Sequence, residues 1–382
     1  MRTLVASGVA LIAATYGLAR FGYGLFLPRL AESFAIGATL AGLISAGSFV
    51  SYCLASVLAV RLARRPRLVV ACAGATGTVG AVGVAAAPHV LVLALGVLVA
   101  GAGAGFASPG LVALVQRNVA PARQENAQTV VNAGTGVGLV AAGVLVLVSA
   151  EHWRLGWLAV AVAVLLATVA TLAADRSGSR PRDEAPAARV RTADLAPLAG
   201  PVVAAALAGV ASAAVWTFGP TLLSSARPDG GAGYATGAWL VLGACGALGA
   251  SAGRIVQAAS LTVAWSSTCL AMALATVALG LGPGVPVLAH AAVGVFGAAY
   301  TALSGVLIVW AVRVTPALAA AGTVVLFVAL AVGQALGSAG FGLLQGVAPA
   351  GTAFAVAGGV GLLALLPART GRRVPAPART TS

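Results

Sequence analysis

Charge is almost absent from long stretches of this 382-residue chain, and its few carboxylates sit where those stretches stop. Glu32, Glu125, Glu151, Asp175, Asp183, Glu184, Asp194 and Asp229 all lie at or between the ends of apolar runs. Hydrophobic residues make up 60% of the sequence and charged ones only 8%, against about 25% charged in an ordinary soluble domain. A mean hydropathy of +1.02, with repeated runs of about 18 or more apolar residues, calls for helices in lipid. Strands of a membrane barrel would interleave polar positions, and these runs do not. The pattern also leaves no acidic residue inside the membrane to relay a proton.

Reading the runs between polar, Pro and Gly breaks gives spans near 4–27, 37–60, 68–87, 90–115, 127–149 and 155–174. A second set follows near 198–222, 234–252, 257–281, 285–312, 317–345 and 351–367. At roughly 20 residues per crossing, twelve helices consume nearly the whole chain and leave no soluble domain. The fifty glycines suit such a bundle, because small residues let helix backbones approach closely. Cys53, Cys72, Cys245 and Cys269 fall within apolar runs and read as small hydrophobes, so neither a disulfide nor a metal site is expected. No cofactor is expected either.

The formal charge of +14 would suggest nucleic acid in a soluble protein. Here all 22 basic residues are Arg, and their placement has another cause. With the N-terminus in the cytoplasm, eighteen arginines fall on the inner side. Only Arg29, Arg154 and Arg227 remain outside, with Arg20 within a span. Both termini are then cytoplasmic, in the plasma membrane. The polar linker 175–197 divides the chain into a six-helix half (1–174) and a second one (198–368), followed by a cytoplasmic tail (369–382). Gly134, Gly138 and Gly143 of the fifth span match Gly333, Gly337 and Gly342 of the eleventh, each displaced by 199 residues. A parallel repeat of this kind is the organisation of one large class of secondary transporter.

The loop after the second span reads SVLAVRLARR, Ser56 to Arg65, and resembles the signature loop of the major facilitator superfamily. Arg61, Arg64 and Arg65 match that pattern. Ser56 and Ala63 replace its glycines, and Val60 replaces its Asp. Trp153-Arg154 with Trp157 is similar to a Trp-Arg-x-x-aromatic element of the same family, and YGLARFGYGLFLP, Tyr16 to Pro28, is similar to first helices of its sugar-efflux-like permeases. The resemblance implies an all-α fold of twelve transmembrane helices in two halves, with Arg61, Arg64 and Arg65 in a cytoplasmic gate. Losing the Asp leaves that latch incomplete, and simple positive-inside anchoring is the competing account. The fourth and fifth spans lack the Arg and Gly-Pro elements of the proton-coupled drug exporters.

Arg20 is the sharpest single signal, because Arg within a membrane run usually faces protein or a water-filled cavity. Tyr16, Arg20 and Tyr23 recur at i, i+4 and i+7, on one helical face, where a guanidinium between phenols could clamp a carboxylate or phosphate. Snorkelling or a bond to a neighbouring helix is the alternative. Asn132 and Gln334 lie on the fifth and eleventh helices, which the family uses to line its cavity, and Trp216 and Trp239 could supply aromatic walls. Helix-to-helix hydrogen bonding would equally explain the amides. His290 is the one His within a run and the candidate for carrying a proton, although it lies near a helix end. Gly249 to Gly253 fits G-x-S-x-G, and Gly101 to Phe106 superficially resembles a phosphate loop. Neither has the strand, His or Lys that such chemistry needs, so both read as packing.

These residues predict a monomeric transporter that moves a small-molecule substrate through the lipid bilayer by alternating access, with protons or a counter-solute as further partners and no nucleic acid. The family resemblance makes export of a drug-like molecule the leading expectation, and Arg20 tilts it towards a carboxylate-bearing one. Import of an organic acid or sugar is the runner-up. A membrane enzyme or a non-transporting sensor would need catalytic groups or an added domain.

Overall fold

The computed structural model describes residues 2–149, 151–176, 192–249 and 260–366. The first half holds α1 (Arg2–Phe34), α2 (Ala38–Arg61), α3 (Pro66–Ala85), α4 (Val90–Asn118), α5 (Pro121–Ser149) and α6 (Trp153–Ala174). The second holds α7 (Asp194–Ala226), α8 (Gly231–Gly249), α9 (Leu261–Leu281), α10 (Pro286–Val314), α11 (Ala319–Gln345) and α12 (Ala350–Leu363). Ten are long and apolar enough to cross a bilayer; α12 is a shorter apolar helix, and α8 ends where the described residues stop. Most of the linker and the tail, and the G-x-S-x-G string beyond Gly249, lie outside the described residues. The expected spans are all present, but α1, α5 and α7 run past the apolar limits. The first turns of α5 and the last of α1 carry polar side chains, such as the Arg29–Glu32 pair at 3.0 Å.

Helix pairing in one half is repeated in the other. In the first half α1 packs on α5 and α6, α4 on α2 and α3, and α3 on α6. In the second, α7 packs on α11 and α12, α10 on α8 and α9, and α9 on α12. Two of the three glycine pairs spaced by 199 residues do matching jobs at these crossings, and Gly143 and Gly342 instead face the opposite half. A Cβ on Gly134 or Gly138 would overlap the carbonyls of Val9 and Ala13 on α1, and one on Gly333 or Gly337 those of Ala206 and Val210 on α7. In lipid, where apolar burial drives no association, such close backbone approach supplies the packing attraction.

The halves meet where α2 lies on α11 and α5 on α8, with the later turns of α1 against α7. At the arginine-poor end the seam is tight. Thr39 Oγ1 donates to the Gly342 carbonyl at 3.3 Å, and the hydroxyls of Ser45, Thr217 and Ser338 bond one another at 2.9–3.3 Å. At the arginine-rich end Val57 and Val60 of α2 are exposed.

Candidate functional site

Both helices that flank the midline of the bundle break α geometry at the same depth. α1 is π-helical over Ala13–Arg20 and α7 over Ala214–Phe218. Offset by the spacing of the glycine crossings, these segments overlap in the repeat. The wide turn is a common device at functional sites, and here it brings Arg20 and Trp216 to the seam between the halves.

Arg20 is only 9% exposed, and no carboxylate approaches it among the described residues. Its Nη2 donates to Oε1 of Gln334 on α11 at 3.2 Å, the one hydrogen bond its guanidinium makes among the described residues, and it crosses from one half to the other. Nε has no partner. The rest of the guanidinium is held by ring faces: Tyr52 at 4.0 Å, Phe49 at 4.9 Å, Phe21 at 5.2 Å and Tyr16 at 5.6 Å. Aromatic faces attract a cation strongly once water is removed. Tyr16 Oη donates to Tyr52 Oη at 3.3 Å and keeps the two rings edge to face. Tyr52 is itself positioned by packing, since Gly101 and Gly105 of α4 admit the backbone of Ser48 and Tyr52 without a gap. That accounts for the glycine string that superficially resembles a phosphate loop.

On the other side, Gln334 is buried and oriented within its own half. Its Nε2 donates to Tyr300 Oη at 3.1 Å and to Ser212 Oγ at 3.4 Å. Trp216 stacks on Phe21 with centroids 4.2 Å apart and meets Tyr300, Phe296 and Trp239 edge on. The indole Nε1 of both Trp216 and Trp239 lacks a partner among the described residues. The site therefore offers a permanent positive charge, unsatisfied N–H donors and aromatic walls. Such a set suits an anion with an apolar body.

Of the residues singled out in the sequence, Tyr16, Arg20, Trp216 and Gln334 come together. Tyr23 does not. The π turn changes the helical phase after Arg20, and Tyr23 instead donates to the Ala41 carbonyl on α2 at 3.2 Å. Asn132 is exposed on the α5 face that carries Gly136 and Gly143 toward α8, bonded to Gln128 Nε2 at 3.3 Å. His290 sits near the arginine-poor end of α10 against Tyr234, with its Nδ1 2.8 Å from the Pro286 carbonyl. Ten residues separate it from Tyr300, about 15 Å at helical rise. Arg61, Arg64 and Arg65 are exposed and make no ion pair among the described residues.

Charge pairing at the arginine-rich end lies elsewhere. Asp175, at the end of α6 with its side chain fully buried, binds Arg67 at 2.9 Å and also Arg117 and Asn118. This cluster joins α3, α4 and α6 of a single half. The Trp-Arg element is structural too. Arg154 lies over the Trp153 ring at 4.2 Å and donates to the Ala87 carbonyl at 2.8 Å, while Trp157 packs on Phe26. Tyr52, Phe49, Phe21 and Tyr300 were not among the sequence candidates. The signal for the tyrosines was their scarcity, because three of the five in the chain touch Arg20 or its partner Gln334.

No curated protein is matched by the sequence at a significant level. Among solved structures, the chain is similar to the nucleoside transporter NupG at 14% identity and a TM-score of 0.74, covering 97% of this chain and 98% of that one. A bacterial homologue of the human lysosomal transporter Spinster, inward-facing and unoccupied, gives 16% identity and a TM-score of 0.74 over 98% and 99% of the two chains. A variant of the peptide transporter POT in complex with alafosfalin gives 14% and 0.75 over 96% and 93%. At these identities the likeness is one of fold. The sequence itself matches the profile of the Major Facilitator Superfamily over residues 9–338, and the chain belongs to that family of secondary transporters.

Proposed function

We propose that the protein carries a small carboxylate-bearing solute with an apolar or aromatic body across the cytoplasmic membrane by alternating access. The observation that supports this reading is Arg20, a buried guanidinium without a counter-ion among the described residues and with a free Nε. A guanidinium matches a carboxylate with parallel N–H donors, and the ring faces of Trp216, Phe21 and Tyr300 fit an apolar body. Export is the direction we adopt, by analogy with the family. With no acidic or His side chain in contact with Arg20 among the described residues, the solute's own gradient helps set the flux, so that a molecule made inside leaves. The arginine-rich end is taken as cytoplasmic. Arg61, Arg64 and Arg65 then sit at the inner headgroups and face the other half only when that end closes.

The test uses the purified full-length protein, with hippurate as an aromatic carboxylate and its uncharged amide as control. Hippurate should raise the thermal midpoint and be transported by liposomes, with Arg20→Ala losing both responses while still purifying as a folded monomer. Equal responses to hippurate and the amide, or an unaltered Arg20→Ala, would remove the anion from the reading.

A further inference from the structure

We propose that Gln334 stands in for the solute's carboxylate when the site is empty, so that the carrier can close and reorient without cargo. This deepens the reading of Arg20 as the solute's anchor and rests on it.

A guanidinium stays charged at any physiological pH, so the empty site holds one positive charge in every conformation. Closing such a site removes water from an ion, at a cost that only a good acceptor offsets. A resident Asp or Glu would offset it fully, but would also compete with every incoming anion. The Gln334 amide lies between these extremes. Its oxygen accepts from Arg20 at 3.2 Å and carries a dipole without a net charge, so a carboxylate displaces it.

The surroundings fit that role. Gln334 Nε2 is engaged by Tyr300 and Ser212, both of the second half, which aims Oε1 at the first half. The ring faces on Arg20 all come from α1 and α2. The hydrogen bond to Gln334 is thus the polar link by which the empty site draws the two halves together around the charge. Without it the guanidinium needs water, and an empty carrier must stay open to one side.

Pulsed EPR on the full-length protein in liposomes, with no solute present, tests this. Spin labels would sit at Ala63→Cys and Arg313→Cys, both exposed at the arginine-rich end but in opposite halves, with the four native cysteines replaced. The unsubstituted site should show two distance populations, open and closed. Gln334→Met, similar in shape without an acceptor, should lower the closed population about tenfold, and added hippurate should restore it. Arg20→Leu with Gln334→Met should bring the closed population back, since no charge then needs an acceptor. A scaffolding role for Gln334 would not show that reversal. If Gln334→Met does not fold, Gln334→Glu decides: a resident carboxylate should enrich the closed population and blunt the hippurate response.

A single population for the native site, or distributions unmoved by Gln334→Met or Gln334→Glu, would overturn the proposal. The solute-free measurement is separate from the anchor. Should the distances shift as expected while hippurate neither binds nor restores closure, the latch stands and the anion reading falls.

Discussion

Gly24 of α1 lies against the main-chain carbonyl of Trp216 on α7, with no room between them for a methyl group. The contact seals the arginine-poor end directly beyond the site. It also fixes the indole that stacks on Phe21. A carbonyl cannot swing aside as a side chain can, so a larger residue must push the two helices apart.

Gly24→Val should therefore loosen that seal. Overpacking costs about 1–3 kcal/mol, which is roughly 5- to 150-fold in a closed-to-open ratio. Flux should fall by about that factor with expression retained. A cysteine at Gly22, where a Cβ meets open space, should become more reactive to reagents added from the arginine-poor side. Unchanged reactivity would mean that the contact is not the seal.

The ring beneath Arg20 separates charge stabilisation from hydroxyl chemistry. Tyr52→Ala removes the closest aromatic face, an interaction of about 1–2 kcal/mol when desolvated, and should weaken hippurate binding roughly 5- to 30-fold. Tyr52→Phe keeps the face, loses only the bond from Tyr16, and should cost far less. Calorimetric titration of the two variants distinguishes them; equal losses would point to the hydroxyl instead.

Asp175 answers for stability. Its buried carboxylate holds Arg67 and Arg117 together, and Asp175→Asn leaves two guanidiniums facing each other. The expected loss is about 2 kcal/mol or more, tempered because Arg67 is partly exposed. Thermal unfolding in detergent should show it as a lower midpoint. The ratio of hippurate to amide binding should not move, since the cluster belongs to one half and lies away from Arg20.

His290 gives a pH test. It faces Tyr234 and Gly237 near the end of α10 and touches none of the groups around Arg20. Transport of hippurate, ionised throughout, should vary little between about pH 6 and 8, and His290→Gln should follow the same profile. A wild-type profile with a step in that range that His290→Gln abolishes would assign coupling to this residue.

The fold was legible because lipid imposes it. Unbroken apolar runs can only be helices, and the arginines between them mark one side. The repeat glycines were readable in register, although their purpose at the α1–α5 and α7–α11 crossings needed coordinates. At the site, local spacing found Tyr16 with Arg20 but misplaced Tyr23, because a regular 3.6-residue turn was assumed through a segment that is π-helical. Tyr52, Phe49 and Tyr300 arrive from α2 and α10. No periodicity along α1 can announce them. Gln334 was readable as a buried amide, but not as the partner of Arg20 across 314 positions.

On the proposed reading, in which the Arg20 guanidinium is neutralised only by its cargo, the carrier is an electrical device. The loaded site crosses with no net charge, whereas the vacant one carries a positive charge back. An inside-negative potential pulls that return inward by at most about 2.3 kcal/mol per 100 mV. The potential then adds to the solute's own gradient in drawing anions outward, with no coupling ion. In vesicles, hippurate efflux should quicken when a potassium diffusion potential is imposed and slow when it is clamped at zero.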